Sequence, residues 1–311
     1  PRNGRSANER GAHRGGASLA ARQPHLTIER KPPAATGGRS YLIRGRFAMS
    51  ERFREAFARG KAEGRALFNG YVTAGYPTPE DTVPILLAME AGGCDAIELG
   101  VPFTDPLADG ATVQHANQIA IEHGVTLVRV FEFVREARAQ GLAIPVVLMG
   151  YYNPILARGI ERACAEAAAA GADGWIVVDL PPDEAGELVA ACRAHGLCMV
   201  PLIAPTTSEE RVAEIAAVAD AWIYCVSVTG TTGGKTVVPE QLPRMLEMVR
   251  RHTDLPLAVG FGISSRAHVE AVGKLADAVI VGSAIISAID AADGKSRAQS
   301  VREFVENVTG H

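Results

Sequence analysis

The chain has 311 residues, of which 47% are hydrophobic, 21% charged and 5% aromatic, and carries a formal net charge of −4. That apolar content excludes a disordered chain, and five cysteines are too few for a disulfide scaffold. No apolar run reaches the roughly 18 residues that a transmembrane helix needs. Residues 1–48 hold ten Arg or Lys against two Glu, a net of +8, which leaves 21 basic against 33 acidic residues, a net of −12. An acidic body repels a phosphate backbone, so nucleic acid is not an expected partner, and without a transmembrane run neither is a membrane.

Residues 1–48 are rich in Arg, Gly and Pro with little apolar periodicity, and are not expected to fold alone. A transit peptide, a basic interaction tail and a segment foreign to the mature protein are all open readings, with Met49 the expected true start. Beyond it the composition changes. Phe53 and Phe57 stand at i, i+4, which predicts an extra helix ahead of the first strand.

After Gly64 one unit repeats: a short apolar run, then a helical stretch. The predicted strands are 66–73, 95–99, 144–150, 173–179, 198–203, 221–227, 255–260 and 277–282. Between them lie predicted helices at 80–91, 111–122, 126–140, 160–170, 183–195, 208–217, 239–251 and 265–274, with Asp183 and Ser208 as N-caps. Runs that are continuously apolar imply strands buried on both faces, hence a parallel sheet. Eight such units predict a single (β/α)8 TIM barrel over residues 49–311 with an extra N-terminal helix. No GxGxxG follows the first strand, which weakens a dinucleotide-binding alternative.

In such a barrel chemistry sits at the carboxyl ends of the strands. Glu98 lies in the run Ala96-Ile97-Glu98-Leu99-Gly100. With period two, Ile97 and Leu99 face the helices and Glu98 faces the barrel mouth. A buried carboxylate there has a raised pKa and suits proton transfer; the alternative is a rim glutamate, solvated or paired with a cation. Asp109, eleven residues on, either serves the same site or caps the helix at 111–122. Gly260-Phe261-Gly262-Ile263-Ser264 and Gly282-Ser283-Ala284-Ile285 follow the last two strands, with a short helix expected from Ser283. Glycines and a helix start there fit a phosphate, although Gly also serves tight turns. Ser227–Lys235, rich in Gly and Thr, is either a closing loop or a plain surface connection.

The run Glu-Leu-Gly-Val-Pro-Phe-Thr-Asp-Pro-Leu-Ala-Asp-Gly at 98–110 closely resembles the hallmark of the tryptophan synthase alpha chain family, and the resemblance extends from about residue 50 to 308. It implies that Glu98 protonates C3 of the indole ring of indole-3-glycerol phosphate, while Asp109 hydrogen-bonds the ring N–H. Retro-aldol cleavage then gives indole and glyceraldehyde 3-phosphate. It also implies that Gly233, Gly262, Gly282 and Ser283 bind phosphate, that Thr232 contacts Asp109, and that Tyr71, Ile176 and Tyr224 line the substrate pocket. Barrel packing is the alternative for Ile176. Val228, where some relatives carry Arg, Tyr71, where some carry Phe, and Ala111, where Pro is frequent, depart from the pattern.

The resemblance further implies a beta chain partner carrying pyridoxal phosphate in an alpha2-beta2 tetramer, touched by loop 101–110, and no cofactor in this chain. The five cysteines form no CxxC and the eight His no HExxH, so no metal is expected, and small core cysteines suit a reducing, cytoplasmic setting. No Lys at a strand end suggests Schiff-base chemistry. A different phosphate-binding barrel, a stand-alone indole-releasing lyase and a non-catalytic barrel subunit that activates a partner are the competing functions.

Overall fold

Most of the strands are buried along their whole length, as continuously apolar runs require. The computed structural model describes residues 49–227, 238, 240–260, 262–292, 294 and 296–310. Among them β1 Leu67–Thr73, β2 Ala96–Gly100, β3 Val146–Gly150 and β4 Gly174–Val177 pair in parallel and in order. The predicted fifth strand, 198–203, is realised as two short pieces, β5 Cys198–Met199 and β6 Leu202–Ile203. Between them Pro201 has no N–H to give a ladder, although its carbonyl accepts the Tyr224 N–H at 3.0 Å. β5 pairs with β4, and β6 pairs with β7 Ile223–Val226. The next neighbours are β8 Leu257–Gly260 and β9 Ala278–Val281, and β9 returns to β1. This one segment therefore closes the circle, and the barrel predicted from the repeat is the fold observed.

The predicted N-terminal helix is α1, Glu51–Glu63, capped by Ser50. The connecting helices are α2 Pro79–Ala91, α3 Ala111–Glu122 and α4 Leu127–Ala139, then α5 Tyr152–Arg158, α6 Ile160–Ala170 and α7 Gly186–Ala194. They continue as α8 Glu209–Val218, α9 Leu242–Arg250, α10 Arg266–Gly273, α11 Ser283–Asp290 and α12 Arg297–Thr309. The expected short helix from Ser283 is α11. Ser208 caps α8, as predicted, by accepting the Arg211 N–H. Asp183 does not cap α7, which begins three residues later; its carboxylate pairs with Arg211 instead. No described helix is long and apolar enough to cross a membrane. The five cysteines are free and buried.

Two apolar layers hold the barrel. Ile97 and Leu99 face outward into the layer shared with the helices, whereas Ala96, Val147, Ile176, Val200 and Ile280 fill the interior. At the amino end α1 stops the barrel, with Phe53 edge-on to Trp222 at 4.5 Å between ring centroids.

Four aspartates secure that same end. Asp95, Asp173, Asp220 and Asp277 stand just before β2, β4, β7 and β9. Their carboxylates accept the N–H groups of Phe68, Val146, Met199 and Leu257 at 2.8–3.2 Å. Each aspartate returns its own N–H to the carbonyl of that residue. Each also pairs with an arginine: Arg65 with Asp95, Arg138 with Asp173, Arg193 with Asp220 and Arg250 with Asp277. From α1, Arg59 and Arg52 join the first two. A one-residue slip would break both bonds of a clamp at once, so each clamp fixes the register of a strand pair.

Candidate active site

The carboxyl ends of the strands surround a cavity of about 570 Å3. Glu98 of β2 points into it. Because Ile97 and Leu99 are taken up by the helix layer, alternation leaves Glu98 on the interior face, level with Tyr71 of β1. The Glu98 side chain is fully buried and neither carboxyl oxygen has a hydrogen-bond partner. Burial alone pushes its pKa from an ordinary 4.5 to about 8, so the group is a neutral acid at pH 7.

Asp109 reaches the same cavity from the loop after β2. It does not cap α3, whose N-cap is Gly110 without a side-chain bond. Instead its Oδ2 accepts from Asn117 Nδ2 and from the Tyr151 hydroxyl, each at 3.2 Å. Burial raises its pKa from 3.8 to about 6, held in check by these two donors. Two carboxyls in one cavity thus differ in kind: one unpartnered and protonated, the other hydrogen-bonded and ionised at neutral pH.

Tyr151 also fixes the loop that carries Asp109. Its oxygen accepts the Ala108 N–H at 2.9 Å and its ring stacks on Phe103 at 4.9 Å. At the loop's apex Leu107 is 82% exposed.

Tyr71 and Tyr224 both line the cavity. The Tyr71 hydroxyl lies 3.2 Å from Thr73 Oγ1. Each ring crosses a glycine on the neighbouring strand: a Cβ at Gly100 would stand 2.3 Å from the Tyr71 oxygen, and one at Gly260 would stand 2.2 Å from that of Tyr224. Only glycine leaves room for either phenol. Gly262, Gly282 and Ser283 also line the cavity, Gly282 beside the Tyr71 ring, where α11 begins with its free N–H groups. Gly262 has φ +72°, a conformation that suits glycine.

Among the sequence-predicted site residues, Glu98, Asp109, Tyr71, Tyr224, Gly262, Gly282 and Ser283 come together at this cavity. Ile176 is packed in the barrel interior and does not line it; Val178, two residues further along, does. Thr232, Gly233 and Val228 lie outside the described residues. Asn117 and Tyr151 were missed in the sequence. Asn117 could have been found as the polar member of the buried α3 face Val113, Ala116, Asn117, Ala120. Asp179, two residues past β4, accepts the Tyr152 N–H at 2.8 Å and anchors α5.

Residues 57–310 match the family model described as Tryptophan synthase alpha chain. The chain belongs to that family. The alpha chain of a Roseiflexus species is 48% identical over 259 residues, covering 83% of this chain and 99% of the relative. Tryptophan synthase of Saccharomyces cerevisiae is 47% identical over 262 residues, which span 84% of this chain but 37% of the yeast protein. A crystal structure of tryptophan synthase subunit alpha from Legionella pneumophila superposes with a TM-score of 0.78 at 35% identity, covering 84% of this chain and 98% of that one.

The buried acid has a consequence for stability. Between pH 4.5 and about 8 the folded chain holds a proton on Glu98 that the unfolded chain has released. Stability therefore falls as pH rises through that window and levels off above it. Glu98→Gln removes this slope, and is expected to be more stable than the parent at pH 8 by a few kcal/mol. Urea unfolding at pH 5 and pH 8 tests this; equal pH dependence in the two proteins would place the glutamate in water.

Proposed function

We propose that the chain is the alpha subunit that cleaves indole-3-glycerol phosphate into indole and glyceraldehyde 3-phosphate. The observation that carries the proposal is the unequal carboxyl pair in one cavity, Glu98 protonated and Asp109 ionised. Glu98 delivers its proton to C3 of the indole ring. Asp109 accepts a hydrogen bond from the ring N–H and stabilises the positive indolenine that results. The bond from C3 to the glycerol carbon then breaks, its electrons return to the ring, and the glycerol hydroxyl becomes the aldehyde. The hydroxyl proton returns to the Glu98 carboxylate, so protons balance over one turnover. Gly262 after β8, with Gly282 and Ser283 at the start of α11, suits the phosphate. By family resemblance Gly233 joins them, and Thr232 contacts Asp109.

The same reading gives the chain a beta chain partner that holds pyridoxal phosphate, in an alpha2-beta2 assembly, with no cofactor here. Leu107, exposed on a loop that Tyr151 fastens to Asp109, supports a partner contact coupled to the site. Five buried free cysteines suit a reducing, cytoplasmic setting.

Indole release from indole-3-glycerol phosphate, measured with and without a beta chain, tests the assignment. Slow release that rises strongly with the beta chain is expected. Fast release without it would favour a stand-alone lyase. No release under either condition from folded protein would favour a non-catalytic subunit.

A further inference from the structure

Asn69 lies on β1, two residues before Tyr71 and on the same face. The alternation is fixed by Gly70, whose Cβ would meet Met89 and Ile285 on the helix side. Asn69 therefore projects into the barrel interior, where Leu67, Ala96, Val147 and Ile280 are apolar. It is 1% exposed, and its Oδ1 has no hydrogen-bond partner. An acceptor left unpaired among apolar side chains is costly, whereas leucine of similar size would cost nothing there.

Glu98 presents the complementary deficit. Asn69 pairs in register with Ala96, so Glu98 stands two residues further along the adjacent strand, an offset of about 7 Å on the same face. An amide oxygen needs a donor, and a protonated carboxyl has one to give. We propose that Asn69 is a positioning residue for Glu98: through one bridging water, its amide oxygen takes up the hydrogen bond that the protonated carboxyl donates. The bond holds the acid neutral and fixes its orientation beneath the substrate.

The other ionisable groups facing Glu98 leave this role open. Tyr71 on β1 has its hydroxyl beside Thr73, Tyr224 on β7 lies across Gly260, and Asp109 is held by Asn117 and Tyr151. From β3, from just past β4 and from β9 the cavity receives Met149, Val178 and Ile280, which do not titrate. No Lys, Arg or His is among the described lining residues.

The catalytic part of this inference rests on the proposed reaction, so its test has a readout independent of turnover. The carboxyl stretch of Glu98, assigned by its loss in Glu98→Gln, is followed against pH by difference infrared spectroscopy on the full chain. Asn69→Leu replaces a buried amide whose oxygen is unpaired, and is expected to fold. Its Glu98 midpoint is expected to drop by roughly half a unit to one unit, because the neutral form loses its acceptor. Asn69→Asp, which sets a second carboxylate beside the first, is expected to raise the midpoint. In indole release the descending limb of the kcat profile should follow the Asn69→Leu shift, with about a 2- to 5-fold drop at pH 8 and KM unchanged. A midpoint in Asn69→Leu equal to that of the parent overturns the proposal, even if the parent releases indole. A shifted midpoint in a protein that releases none upholds the positioning role and overturns the reaction.

Discussion

Glu98→Gln is expected to bind indole-3-glycerol phosphate and fail to cleave it, with kcat lowered about 10²- to 10⁴-fold. Glutamine matches the glutamic acid in size and neutrality, so the barrel mouth keeps its shape. What it lacks is an acidic proton for C3, and the only other carboxyl at the described cavity, Asp109, is ionised and held by Asn117 and Tyr151. The loss should therefore fall on kcat and leave KM nearly constant. In the parent, kcat should rise with pH as Asp109 ionises near 6 and fall as Glu98 ionises near 8. Single-turnover indole release across pH 5–9 measures both. Near-parental turnover in Glu98→Gln, or a profile flat across that range, would remove Glu98 from the chemistry.

The second large effect is on stability. Asp173 has 1% of its side chain exposed and holds Arg138, itself 13% exposed, together with the Val146 N–H. Asp173→Ala removes an anion from around a buried guanidinium and leaves a backbone donor unpaired, a loss of about 3–5 kcal/mol. Asp277 makes the same two bonds with its side chain 41% exposed, where water takes over much of the work. Asp277→Ala is accordingly expected to cost only about 1 kcal/mol. Urea midpoints of the two variants give the comparison, and equal losses would show that burial does not set the strength of these clamps.

The barrel was legible in the sequence because a strand buried on both faces cannot hide: Ile97, Leu99, Val147 and Val279 leave no polar face to confuse the period. Glu98 was legible for the opposite reason, as the charged residue that breaks such a run. The gap at Pro201 was legible in principle, since proline cannot donate to a ladder, yet the apolar run reads straight across it. Asp183 misled because an Asp before an acidic stretch has the chemistry of a cap, whereas its pairing with Arg211 depends on a residue 28 positions away. Asn117 and Tyr151 lie 8 and 42 residues from Asp109, and their roles follow only from how α3 and the end of β3 approach the loop. The four clamps do leave a trace: Cys94-Asp95-Ala96, Ala172-Asp173-Gly174, Ala219-Asp220-Ala221 and Ala276-Asp277-Ala278 share a small residue, an aspartate and a second small residue. The repeat becomes visible once the contacts show which aspartates matter.

These clamps all lie at the amino ends of the strands, and every group assigned to chemistry lies at the carboxyl ends. Each clamp ties one strand to the next with bonds that involve no residue of the cavity. The molecule thus divides its tasks along the barrel axis, with a foundation at one end and an adjustable workplace at the other. A loop at the mouth can be lengthened, shortened or exchanged without loosening the strand pairs beneath it. Sequence change at the mouth then alters which molecule is accepted before it threatens the architecture, which makes this barrel a tolerant host for new specificities.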